Sequence, residues 1–200
     1  AAVGVIVVAP AAGGPQEEAD LLAPGDGTAG RTIRIRVQAV RFADPAGLEG
    51  FLRHELWHVA DMLRPEFAHR REVRLGERIG EEGLIRCRLR LLWNLAIAGA
   101  VERTGRAGAA GRAQWERVAA GVYPFLSAEA RSRIVASLWG NPAITYPRLR
   151  AFARDPDALA AGAGVSAAEP AAGPAPGSAC PLCGFPTFDW AAGVARLPGA

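Results

Sequence analysis

All three histidines of this 200-residue chain, His54, His58 and His69, fall within sixteen positions, and the first two bracket a glutamate in His54-Glu55-Leu56-Trp57-His58. Successive helical residues turn by about 100°, so positions four apart sit about 40° from each other and one turn along. On a helix both imidazoles therefore project from one face. Two neutral ring nitrogens held that way match two corners of a zinc tetrahedron. Glu55 stands beside the pair, where a general base takes a proton from metal-bound water. Phe51, Leu56, Trp57, Val59 and Leu63 are apolar, which puts the histidines along or beside a buried seam. Uncharged polar pairs are rarely left there without a partner.

The flanking sequence makes the pentad helical. Asp44-Pro45 supplies an N-cap and a proline at the first helical position. Leu48, Phe51, Leu52, Leu56, Val59 and Leu63 recur at three- and four-residue steps, and Pro65 stops the run. Upstream, Val3-Gly4-Val5-Ile6-Val7-Val8, closed by Ala9-Pro10, reads as a buried strand, and residues 11–30 read as a loop rich in Gly, Pro and acids. Residues 32–40 alternate apolar and polar, the pattern of a strand with one wet face. Downstream, a polar connection over 64–76 leads to a longer helix from Glu77 or Glu81 to Arg103, carrying Leu84, Ile85, Leu91, Leu92 and Leu95. Further helices are predicted over 113–122, over 128–139 with Ser127 as N-cap, and over 147–153. The fold expected is α+β, mostly helical, with a small sheet packed beside the histidine helix. Residues 158–179 are almost entirely Ala, Gly, Pro and Ser and read as a linker between a domain of 1–157 and a small element of 180–200.

Charge and cysteine usage narrow the partners. The net charge is only +3, and all 23 basic residues are Arg, which with abundant Ala, Gly and Pro fits GC-rich, bacterial-type coding. Arg86, Arg88 and Arg90 read as a solvated helix face with stems over apolar surface, so nucleic acid is not an expected partner. No apolar run approaches the ~18–20 residues of a membrane span. Three cysteines, an odd number, do not make a secreted disulfide framework, and Cys87 reads as a small core residue. A cytoplasmic location is expected. The first residue is not Met, which reads as a fragment or a processed form.

The stretch Phe51-Leu52-Arg53-His54-Glu55-Leu56-Trp57-His58-Val59-Ala60-Asp61 resembles the active-site helix of zincin metallopeptidases, with the resemblance covering roughly residues 30–100. It implies His54 and His58 as zinc ligands, Glu55 as catalytic base, a peptide or protein as substrate, and a substrate-aligning strand at the sheet edge, for which residues 32–40 stand in the corresponding position. The metzincin branch continues with Gly and His where this chain has Asp61 and Arg64, so the gluzincin branch is the closer match. That branch takes its third ligand from a Glu on a following helix. Glu77, Glu81 and Glu82 fall 19, 23 and 24 residues after His58, and Glu81 is the expected ligand, although Ile85 stands where a supporting Asp is usual. Asp61, one turn past His58, suits an acceptor that orients an imidazole N–H. Asn94 is a neutral amide where a carboxylate would have served, and a third ligand belonging there would make the chain a weakened or inactive member. Tyr123, Tyr146 and His69 are open candidates for stabilising an oxyanion.

Cys180-Pro181-Leu182-Cys183-Gly184 resembles one knuckle of a zinc ribbon, which implies a second, structural zinc held by Cys180 and Cys183. Four ligands are needed to close such a site, so a protein partner or further sequence would complete it. Two functions remain in competition: a zinc metallopeptidase, or a non-catalytic metal-binding adaptor that contacts a partner through the CxxC element.

Overall fold

Asp44 starts the first helix as expected, its Oδ1 accepting the Gly47 N–H at 3.0 Å, and the helix runs over α1 (Pro45–Leu63) until Arg64-Pro65 ends it. The computed structural model describes residues 3–23, 30–71, 74–76, 81–106, 108, 110–165, 177–179 and 185–187. Before α1 lie β1 (Val3–Pro10), β2 (Glu18–Leu22) and β3 (Arg31–Val37). After it come α2 (Glu81–Arg103), α3 (Arg112–Val122), α4 (Ala128–Trp139), α5 (Tyr146–Arg154) and α6 (Pro156–Gly162), then the two-residue strands β4 (Ser178–Ala179) and β5 (Pro186–Thr187). The chain is α+β, mostly helical with a small three-stranded sheet. Among the described residues no helix is long and apolar enough to cross a membrane.

The sheet has the order β1-β3-β2, with β1 parallel and β2 antiparallel to β3. Three sequence expectations are corrected here. The 11–30 segment contains β2, paired Glu18↔Arg36 to Leu22↔Thr32, so the alternating strand β3 is central and β2 is the edge strand beside α1. Salt bridges Arg36–Glu18 (2.6 Å) and Arg34–Asp20 (3.6 Å) on the wet face join what composition alone read as loop to its neighbour. β1 is not buried: Val5 to Val8 are all exposed, because α1 covers the sheet over β3 and β2 and does not reach the β1 edge. The boundary expected after residue 157 falls inside α6, whose Leu159 and Ala160 are buried in the helical core. Asp155 caps that helix by accepting the N–H groups of Asp157 and Ala158. Cys180 and Cys183 lie outside the described residues.

α1 lies between two cores. One face packs Phe51 and Val59, with Leu48, Leu52 and Leu63, onto Ala19, Ile33, Ile35 and Val37. Burying a side chain such as Phe51 contributes roughly 2–3 kcal/mol. The other face turns Trp57 and Met62 toward α2. α2 is the axis of the helical part, packed by α1, α3, α4 and α5. Its residues from Leu89 to Val101 are buried almost all round, as a helix enclosed by neighbours requires. Gly99 lets the backbone of α4 approach, since a Cβ there would overlap the Trp139 carbonyl.

Candidate metal centre

The two surfaces of α1 place the histidines. His54 and His58 lie on the α2 side, both buried, with ring centroids 5.3 Å apart. One ligand atom from each of His54, Glu55 and His58 falls within 4.8 Å of the others. Trp115 of α3 stacks on His54 at 5.7 Å, and Trp93 of α2 meets His58 edge-on at 4.5 Å. Burial lowers both histidine pKa values, that of His58 to about 3, so both rings are neutral at pH 7 and offer nitrogen lone pairs. His54 Nδ1 is buried without a hydrogen-bond partner, and so is Trp115 Nε1. Such unpaired atoms cost about 1–3 kcal/mol each.

Glu55 points toward the sheet. Its Oε2 accepts the Ala19 N–H of edge strand β2 at 2.8 Å. Burial raises its pKa to about 7, with that N–H and the Arg90 charge pulling the other way. Glu55, His58 and Asn94 line one cleft of about 620 Å3, whose walls include β2 residues Glu18 to Asp20 and the α2 residues Arg86, Arg90 and Trp93.

Not every predicted residue joins this group. Glu81 is at the first turn of α2, thirteen residues before Asn94, a helical rise of about 20 Å. It is not among the residues lining the cleft. Glu82 Oε2 accepts the N–H groups of Leu75 and Gly76, at 2.6 and 3.0 Å, and so fastens the connection ahead of α2. Glu77 lies outside the described residues. Asp61 accepts from Trp93 Nε1 at 2.9 Å and from Arg64 at 2.8 Å, so its partner is the indole beside His58 and not an imidazole. Physically, the indole lies between the carboxylate and the ring it was expected to orient.

Other side chains also depart from expectation. Cys87 is exposed and lines the cleft instead of filling the core. Arg88 is buried, not solvated, with its guanidinium over the Tyr123 and Phe125 rings at 5.6 and 5.8 Å. Tyr123 is buried beside it, away from the cleft. His69 and Tyr146 are on the cleft wall, ring to ring at 4.7 Å, which leaves them as the two cleft-lining candidates for oxyanion stabilisation.

What meets the two imidazoles is Asn94. Its Oδ1 lies 3.0 Å from His54 Nε2 and 2.7 Å from His58 Nε2. The sequence signal for this was slight: a polar amide interrupting the apolar run Leu91-Leu92-Trp93-Asn94-Leu95.

Compared with known proteins, the chain matches no family model, no curated protein and no solved structure.

Proposed function

We propose that this chain is a zinc-dependent hydrolase of peptides or proteins, with His54 and His58 as metal ligands and Glu55 as the catalytic base. One observation carries the reading: two imidazoles that burial keeps neutral share one spot with a carboxylate facing an open cleft. The donor set fits zinc, which binds neutral imidazole nitrogen readily. Zinc bound there would polarise a substrate carbonyl and lower the pKa of a water to ~7.

Glu55 supplies the proton chemistry. Anchoring of Oε2 by the Ala19 N–H leaves the other carboxylate oxygen to take a proton and later return it to a leaving amine. A pKa near neutrality suits both halves of that task. His69 and Tyr146 are the donors that would stabilise negative charge developing on a carbonyl oxygen. β2 borders the cleft as an edge strand, so an extended peptide would lie along it, in the zincin manner.

A second reading keeps the metal and drops the reaction. It is favoured by the absence, among the described residues, of any carboxylate or histidine besides Glu55 that joins His54 and His58. The chain would then be an adaptor that contacts a protein through Cys180 and Cys183 and their own structural zinc. Purified chain and its Glu55→Gln variant separate the two. The hydrolase reading expects zinc in both and cleavage of a mixed peptide library by the parent only. Cleavage unchanged in the variant would sink the base assignment. Zinc without cleavage in either protein would favour the adaptor.

A further inference from the structure

Two imidazole nitrogens from successive turns of α1 end on a single oxygen of α2, at 3.0 and 2.7 Å. We propose that this oxygen, Asn94 Oδ1, is the third protein ligand of the zinc that His54 and His58 would hold, so that the ligand set carries no charge. The inference rests on the metal reading of that site. Donor atoms bound at ~2.0–2.1 Å at the corners of a tetrahedron lie about 3.3 Å apart. The observed 3.0 and 2.7 Å are about 0.3 and 0.6 Å short of that, a shift within the reach of side-chain rotation.

Rigidity makes the arrangement a built one. Asn94 sits between Trp93 and Leu95 on the enclosed part of α2, and Leu92 and Leu95 are fully buried. The Trp93 Nε1 bond to Asp61 fixes the register of α2 against α1 within one turn of His58. Asn94 itself is only partly buried and lines the cleft, so the side facing away from the imidazoles is open to water or substrate. No carboxylate of α2 competes for the place: Glu81 is about 20 Å of helix away, Glu82 is engaged with the 75–76 backbone, and Glu102 accepts from Trp139 Nε1.

Charge is the consequence. A carboxylate third ligand would cut the charge of the centre to +1, whereas an amide leaves the full +2. An amide oxygen is also the weaker donor. Zinc should therefore bind less tightly than to a carboxylate-completed site, and the centre should favour anionic groups at its open position.

Zinc titration of the full chain by calorimetry, repeated with cobalt to follow visible absorption, tests this. Asn94→Asp should tighten zinc binding about tenfold or more, and Asn94→Leu should weaken it by a similar factor, since even groups that only support ligands shift affinity about 10–100-fold. Cobalt absorption should change in both variants. A double His54→Ala, His58→Ala variant sets the background. If the parent binds no more tightly than that background, the metal reading itself falls. If the parent binds and both Asn94 variants match it, Asn94 only accepts two N–H bonds, and the ligand assignment falls alone. Should Asn94→Leu not fold, Asn94→Asp decides: unchanged or weaker binding overturns the proposal.

Discussion

Glu55 is partly shielded from water by the same elements that aim it, and folding bears the cost. Its pKa rises from 4.5 to about 7, so in chelator-treated protein the folded state holds this proton over a range where the unfolded state has released it. Stability from this group is therefore intact below about pH 4.5 and declines as pH rises through 7. His58 acts in the opposite sense, since its lowered folded pKa removes stability as pH falls from 6.5 toward about 3. Glu55→Gln keeps an acceptor for the Ala19 N–H and cannot ionise. It should thus gain stability over the parent by up to about 3 kcal/mol at pH 8, and much less at pH 4.5. Urea unfolding of both proteins at the two pH values checks this, and an equal difference at both would refute it. The helix and the candidate residues His54, Glu55 and His58 were legible from spacing. Asn94 stood out only as an amide where a carboxylate would have served, and nothing chose it over Glu81, because an isolated amide in an apolar run carries no period that says what it faces.

At the scale of elements, α1 and α2 behave as their patterns require. A helix with apolar residues on two sides needs two neighbours, and α1 has the sheet on one side and α2 on the other. Gly99 and Gly83, both on α2, make a contrasting pair. A Cβ at Gly99 meets the Trp139 backbone, whereas one at Gly83 meets nothing within 4 Å. Gly99→Ala should destabilise by about 1–3 kcal/mol through overpacking. Gly83→Ala should stabilise by roughly 0.5–1 kcal/mol, the helix-propensity difference. Thermal unfolding reads both, and the same sign for the two would contradict the α2–α4 approach. The helix starts at Asp44 and Ser127 were readable from their capping residues, and both side chains accept an N–H three residues on. β2 was not readable, because short strands held by cross-strand ion pairs resemble polar loops in composition.

Across the whole molecule, stability is concentrated in the α2-centred core and thins toward β1. Leu95 is fully buried, whereas Ile6 is 60% exposed. Leu95→Ala should cost about 2–5 kcal/mol as a cavity forms. Ile6→Ala should cost under about 1 kcal/mol, although both positions look equally core-like in sequence. Denaturant midpoints at fixed protein concentration distinguish them, and a large loss at Ile6 would mean that β1 is covered. By itself the sequence determined the helix carrying His54, Glu55 and His58, its ends and its apolar sides, since those follow from local periodicity and capping. Only the tertiary structure decided which strand borders the cleft, that β1 stays at an open edge, and that Asn94 in place of Glu81 meets the imidazoles. Each of these depends on contacts between residues far apart in the chain, where local pattern sets which groups seek a partner but not which partner they find.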